Sequence, residues 1–139
     1  MFNKILIAND GSEGAARALS VAIIEARAHN AELHMISVEE LPRFPASVDE
    51  VIEEKAEANH RFADVQSRAQ GQATASGLTL VTHVVVGHPV PTIVEFVQRE
   101  QFDLLVVGYM GHSALYNRVI GSTTDRLVEL AGCTVMVVK

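Results

Sequence analysis

Three glycines follow an apolar run at fixed spacing. Phe102-Asp103-Leu104-Leu105-Val106-Val107 leads into Gly108-x2-Gly111-x9-Gly121-Ser122, and a helical pattern then runs from Thr123 to Leu130. A strand ending in glycine, followed by a helix opening with Ser122-Thr123-Thr124-Asp125, gathers backbone N–H groups and a positive helix end where an anion would be held. Phosphate suits that chemistry. Gly108, Gly111 and Gly121 would supply positive φ and let the chain lie against a ligand with no Cβ in the way. Ser122 would cap the helix or donate its hydroxyl. The plainer reading is a tight βα connection in which the glycines turn corners and Ser122-x-x-Asp125 is a capping box. Spacing alone leaves both open. It does exclude a P-loop, because Gly-x4-Gly-Lys-Ser/Thr is absent and the lysines are Lys4, Lys55 and Lys139. No dinucleotide fingerprint follows the first strand.

The elements that must position this loop are legible from apolar patterning. Ile5 to Ala8, Leu33 to Val38, Leu78 to Val86, Leu104 to Val107 and Val135 to Val138 read as short strands, mostly continuous in apolar character as buried parallel strands are. Helical spacing fills the gaps. From Ser12 to His29, Ala15, Leu19, Ala22, Ile23 and Ala26 recur after a Ser12 cap. Val48 to Ala75 is a longer helix that would turn Val51, Ile52, Phe62, Val65 and Ala69 toward the sheet. A third runs from about Pro91 to Gln101 with proline in its first turn, and the fourth follows Ser122. The Glu39 to Asp49 segment, with Pro42 and Pro45, reads as the one long loop, placed to cover a site. Five strands alternating with four helices predict a doubly wound α/β sheet with helices on both faces. Ligands in such sheets lie beyond the carboxyl ends of the strands, where strand order reverses.

Bulk properties bound the partners. At 139 residues, 48% of them hydrophobic, the chain is the size of one domain, taken as 1–139, and can bury a core. A formal charge of −6 argues against nonspecific binding to nucleic acid or an anionic membrane surface. No apolar run reaches the roughly 20 residues that cross a bilayer, and Met1-Phe2-Asn3-Lys4 leads straight into a strand rather than a signal peptide. A cytoplasmic protein is expected. Cys133, the single cysteine, excludes an intrachain disulfide and reads as a small core residue at the head of a strand.

The pattern Gly-x2-Gly-x9-Gly-Ser in the last third of a short α/β chain resembles the nucleotide signature of the universal stress protein family. The resemblance spans the chain. Ile5-Leu6-Ile7-Ala8-Asn9-Asp10-Gly11-Ser12 is similar to the family's opening strand and Asp-Gly-Ser turn, and Leu33-His34-Met35-Ile36-Ser37-Val38 to its second strand. Gly87-His88-Pro89 is similar to its third strand exit, and Cys133-Thr134-Val135-Met136-Val137-Val138 to its closing strand. The resemblance implies an adenine nucleotide α-hydrolase-like sheet of order 3-2-1-4-5, with the reversal between strands one and four. It implies ATP, or AMP or ADP, with Mg²⁺ held mainly by the phosphates. The implied contacts are Ala8, Asn9, Asp10, Val38, Val107, Gly108, Gly111, His112, Gly121, Ser122, Thr123 and Thr124.

Each candidate also has a bland role. Asp10 would meet a ribose, an adenine or a phosphate-bound Mg²⁺, or merely cap the first helix. Val38 would wall an adenine, or simply fill a buried strand. Tyr109 and Met110 depart from the family's small hydroxyl and basic residues, leaving His112 and Arg118 as the cations within the loop. Asp125 would compete with phosphate for N–H groups. His29, His34, His60, His83, His88 and His112 show no metal-ligand spacing, and Ser113 beside His112 forms no nucleophile elbow. Thr134 stands where the family often has proline.

The expected function is therefore an ATP-binding stress or signalling module. It would act as a switch rather than a catalyst, since no convincing base, arginine finger or phosphate lysine is present and hydrolysis would be slow. Two alternatives stand beside it. One is a nucleotide-free dimeric interaction protein, as in relatives that lack the glycines. The other is an adenylyl transferase, which would need a phosphate-handling motif that Asn9-Asp10-Gly11-Ser12 does not supply. A homodimer is expected through Thr134, Val135, Met136, Val137 and Val138, an apolar edge strand that pairing with a second copy would cover.

Overall fold

The computed structural model describes residues 1–40, 48–109 and 120–139. Five strands and, among the described residues, four helices alternate along the chain: β1 (Lys4–Ala8), α1 (Glu13–His29), β2 (Glu32–Glu40), α2 (Val48–Ala75), β3 (Leu80–Gly87), α3 (Pro89–Arg99), β4 (Leu104–Gly108), α4 (Ser122–Leu130) and β5 (Thr134–Val138). The strands form one parallel sheet of order β3-β2-β1-β4-β5, as expected. Side-chain alternation splits its core in two. Ile5 and Ile7 join Ala18, Leu19, Ala22 and Ala26 under α1 and α2. Leu6 joins Ile93, Phe96, Val97 and Leu127 under α3 and α4. None of the described helices is long and apolar enough to cross a membrane.

Several boundaries differ from the sequence reading, each for a local reason. Glu39 and Glu40 are not loop but the end of β2, paired in register with Val86 and Gly87, while Val48 and Asp49 open α2. Pro42 and Pro45 lie outside the described residues. Helix α3 begins at Pro89, because the first of the two prolines takes the position where a missing N–H costs nothing. Phe62, Val65 and Ala69 do face the sheet, whereas Ile52 is 61% exposed and Val48 76%. At 28 residues, α2 is about 42 Å long. The 8-residue β3 spans only about 26 Å, so the start of the helix overhangs the sheet. The Val51 side chain lies outside the described set. Cys133 precedes β5, half-buried against the α3 and α4 cluster, and burial pushes its thiol pKa up.

In the amino-terminal halves of β2 and β3 sits a polar pair inside the aromatic layer. His34 Nδ1 and His83 Nε2 lie 3.1 Å apart, sharing one hydrogen bond, with the rings stacked and Phe96 and Phe102 at their edges. His34 Nε2 is buried without a hydrogen-bond partner, the Glu32 carboxylate standing 3.7 Å away. Burial holds both rings below the ordinary value of 6.5. Lys4 adds to the depression of both and His34 to that of His83, while Glu100 opposes both and Glu32 opposes that of His34. The unfolded chain therefore takes up protons that the folded pair refuses, so stability is full above pH 6.5 and falls as pH drops below it. Urea midpoints measured at pH 7.5, 6.5 and 5.5 should decline less in a His34→Leu, His83→Val variant than in the parent. Parallel declines would mean the pair does not titrate in this window.

Candidate functional site

Strand β1 ends in a knot of local hydrogen bonds that shapes the floor of a cleft. Asn9 is 6% exposed. Its N–H donates to Ile36 O, its Nδ2 to Met35 Sδ, and its Oδ1 accepts from Gly11 N at 2.9 Å. Ser37, fully buried, donates its hydroxyl to Asn9 O at 2.7 Å and ties β1 to β2. The chain then reverses through Gly11 at φ +84°, the position in this segment that needs glycine. Asp10 Oδ1 accepts from Ser12 N, forming an Asx turn, and Ser12 Oγ accepts from Ala15 N to cap α1. The helix cap is thus Ser12, and Asp10 sits on the rim above it.

On the β4 side, the glycines do different work from that expected. Gly108 and Gly121 do not take positive φ; among the described residues that conformation at glycine falls to Gly11 and Gly77. Gly108 is needed for packing, because a Cβ there would stand 2.8 Å from the Gly14 carbonyl carbon and 2.9 Å from its oxygen. The first turn of α1 rests directly on β4. Gly121, at φ −59°, is the N-cap of α4. Ser122 is accordingly the first helical residue rather than the cap, and Ser122-x-x-Asp125 is not a capping box. Gly121 N already donates to Tyr109 O at 3.0 Å, and Tyr109 N to Val138 O at 2.8 Å. The Thr124 hydroxyl, in a residue 7% exposed, donates to Gly108 O at 2.7 Å and pins α4 to β4. The N–H groups at the start of α4 that follow Gly121 have no intrahelical acceptor, and Gly121 has no side chain to cap them.

These elements enclose a cleft of about 630 Å³ at the carboxyl ends of β1, β2 and β4, within the range of small-molecule sites. Ala8, Asn9, Asp10, Val38, Val107, Gly108, Gly121, Thr123 and Thr124 of the sequence candidates come together on its lining. Ser122 is exposed and does not line it. Gly111 and His112, with Met110, Ser113 and Arg118, lie outside the described residues. Sequence reasoning missed the wall supplied by α2, where Arg61, Phe62 and Val65 border the cleft beside Glu39 and Glu40. Among the described residues no group of three His, Cys, Asp or Glu side chains is placed to hold a metal ion.

The cleft is electrically graded. Asp10, Glu39 and Glu40 gather on the β1 and β2 side, whereas the positive end of α4 faces it from the β4 side. An anionic group is favoured near Thr123 and Thr124, and a neutral apolar group between Val38 and the α2 wall.

Comparison with known proteins agrees with this fold. The universal stress protein family model matches residues 1–139. A universal stress protein of Thermus aquaticus, from the QAH/OAS sulfhydrylase 3′ region, is 32% identical over 139 residues, covering 100% of both chains. The structure of universal stress protein UspA from Lactobacillus plantarum superposes with a TM-score of 0.87 at 29% identity, covering 99% of this chain and 98% of that one. A crystal structure of a universal stress protein in complex with cAMP superposes at 0.77 with 27% identity, covering 99% and 97%.

Proposed function

The chain belongs to the universal stress protein family, and we propose that it binds an adenine nucleotide in the cleft and serves as a nucleotide-dependent stress-response or signalling module. The observation that carries this reading is the graded cleft. Its β4 side offers N–H groups at a helix start that have no intrahelical acceptor, and its β2 side offers Val38, Phe62 and Val65 for a purine. The cAMP held by a similar protein supports the ligand class. ATP, ADP or AMP would lie with the base toward β2 and the phosphates toward α4, and any Mg²⁺ would be held by the phosphates with Asp10 as the nearby carboxylate. A cytoplasmic setting belongs to the same proposal, supported by the acidic balance and single cysteine.

The module is a switch and not an enzyme of ordinary turnover. The cleft lining holds no lysine or histidine among the described residues, and its arginine, Arg61, is paired with Glu39 on the side away from α4, which supports slow hydrolysis at most. Amide chemical shifts followed by NMR while ATP is added should move at Asp10, Val38 and the start of α4, with Lys4 and Glu32 at the opposite ends of β1 and β2 unmoved. Phosphate release in the same samples should stay far below the roughly 1–100 per second of kinases. Shifts confined to another surface, or turnover at that rate, would overturn the reading.

A homodimer through β5 is part of the proposal. Tyr109 N donates to Val138 O, so alternation along the strand turns Val138 toward β4 and the N–H and C=O of Val137 toward the open edge. Val137→Pro would remove that outward N–H and leave the β4 ladder intact. Sedimentation should show a dimer for the parent and a monomer for the variant. A dimer that survives the proline would place the interface elsewhere.

A further inference from the structure

Arg61 is the one cation among the described residues lining the cleft, and it is not placed where phosphate is expected. It lies on α2 beside the end of β2, on the side that also holds Asp10, Glu39 and Glu40. Carboxylates stand near both its terminal nitrogens. Nη2 pairs with Glu39, the residue after Val38 on β2, and Nη1 stands 3.6 Å from Glu57 one turn earlier on α2. The Glu39 carboxylate orients the guanidinium and occupies part of the edge by which arginine grips phosphate, while Glu57 adds a more distant negative charge. A guanidinium held by its edge still offers its face. The acidic side repels the phosphates of an incoming nucleotide and so turns its base toward Arg61, Phe62 and Val65.

Resting on the nucleotide-binding reading, we infer that Arg61 is the base-stacking wall of this cleft: its guanidinium, held at one edge by Glu39, covers the face of a purine. The ligand class is then an aromatic nucleobase with any number of phosphates, and Arg61 contributes to recognition of the base alone. Lysine cannot replace it, because an ammonium carries the charge without the planar face.

Isothermal titration with adenosine, AMP and ATP tests this on the parent, Arg61→Lys and Arg61→Gln. Arg61 is about half exposed in a surface ion pair, so both variants should fold, and circular dichroism checks that they do. Both should weaken all three ligands by the same factor, roughly 3- to 10-fold, the size of a partly desolvated cation–π contact. A loss that grows from adenosine to ATP, with Arg61→Lys restoring affinity, would make Arg61 a phosphate ligand and overturn the inference. Unchanged affinities in both variants would reduce the Glu39–Arg61 pair to a structural tie and overturn it too. A parent that binds none of the three would instead sink the nucleotide reading itself, and the two failures are told apart by the parent alone.

Discussion

Gly108→Ala should lower the thermal midpoint by about 3–10 °C with no ligand present, the equivalent of about 1–3 kcal/mol of overpacking in a domain of this size. The added methyl meets backbone rather than a side chain: the Gly14 carbonyl carbon at 2.8 Å, its oxygen at 2.9 Å and Ala15 N at 3.2 Å. Backbone in the first turn of α1 cannot rotate aside. It moves only with the helix, whose Ala15, Ala18, Leu19 and Ala22 are buried against the sheet. Gly132→Ala is the control, since a Cβ there meets nothing within 4 Å, and its midpoint should stay near that of the parent. Scanning calorimetry of the three proteins decides the matter. A Gly108→Ala protein as stable as the parent but deficient in nucleotide binding would return Gly108 to the role of ligand approach that its spacing suggested.

Gly121→Val should abolish nucleotide binding, by a hundredfold or more, while the protein stays folded. The backbone at Gly121 has φ −59° and ψ 144°, a conformation that valine adopts without strain. Valine is a poor N-cap, and a stability cost of about 1 kcal/mol is expected. Its isopropyl group would stand where the cleft meets the start of α4, beside Thr123 and Thr124. Losing two charge-assisted hydrogen bonds there amounts to about 3–6 kcal/mol, which sets the expected factor. Unfolding and binding are separated by recording the melting curve and the titration on one preparation. Parent-like affinity in the folded variant would place the phosphates away from the start of α4.

The strands were legible because buried parallel strands read as unbroken apolar runs, and Leu104-Leu105-Val106-Val107 is such a run. Their order followed from the family resemblance. The Ser12 cap was legible because capping is local, decided within a few residues. What escaped the sequence is what depends on an element packed from a distance. Nothing near Gly108 in sequence says that Gly14 lies across from it, so the packing reason for this glycine, which also lines the cleft, could not be read. Arg61 follows the general pattern of a charged residue on a helix, and its place at the cleft depends on the angle at which α2 crosses β2 and β3. Ile52 carried the right periodicity but lies on the overhanging start of α2, beyond the sheet it would have covered. Ser37 could have been found, since a lone hydroxyl inside the run Leu33 to Val38 needs an acceptor, and Asn9 O supplies it.

Isothermal titration of the parent protein with ATP, AMP and cAMP in the presence of Mg²⁺ is the most direct measurement. Nucleotide occupancy of the cleft predicts saturable binding of at least one of them in the micromolar range, one site per chain, and loss of that heat in Gly121→Val. Absence of binding by a folded parent across all three would contradict it and leave a nucleotide-free dimeric interaction protein as the function of this fold.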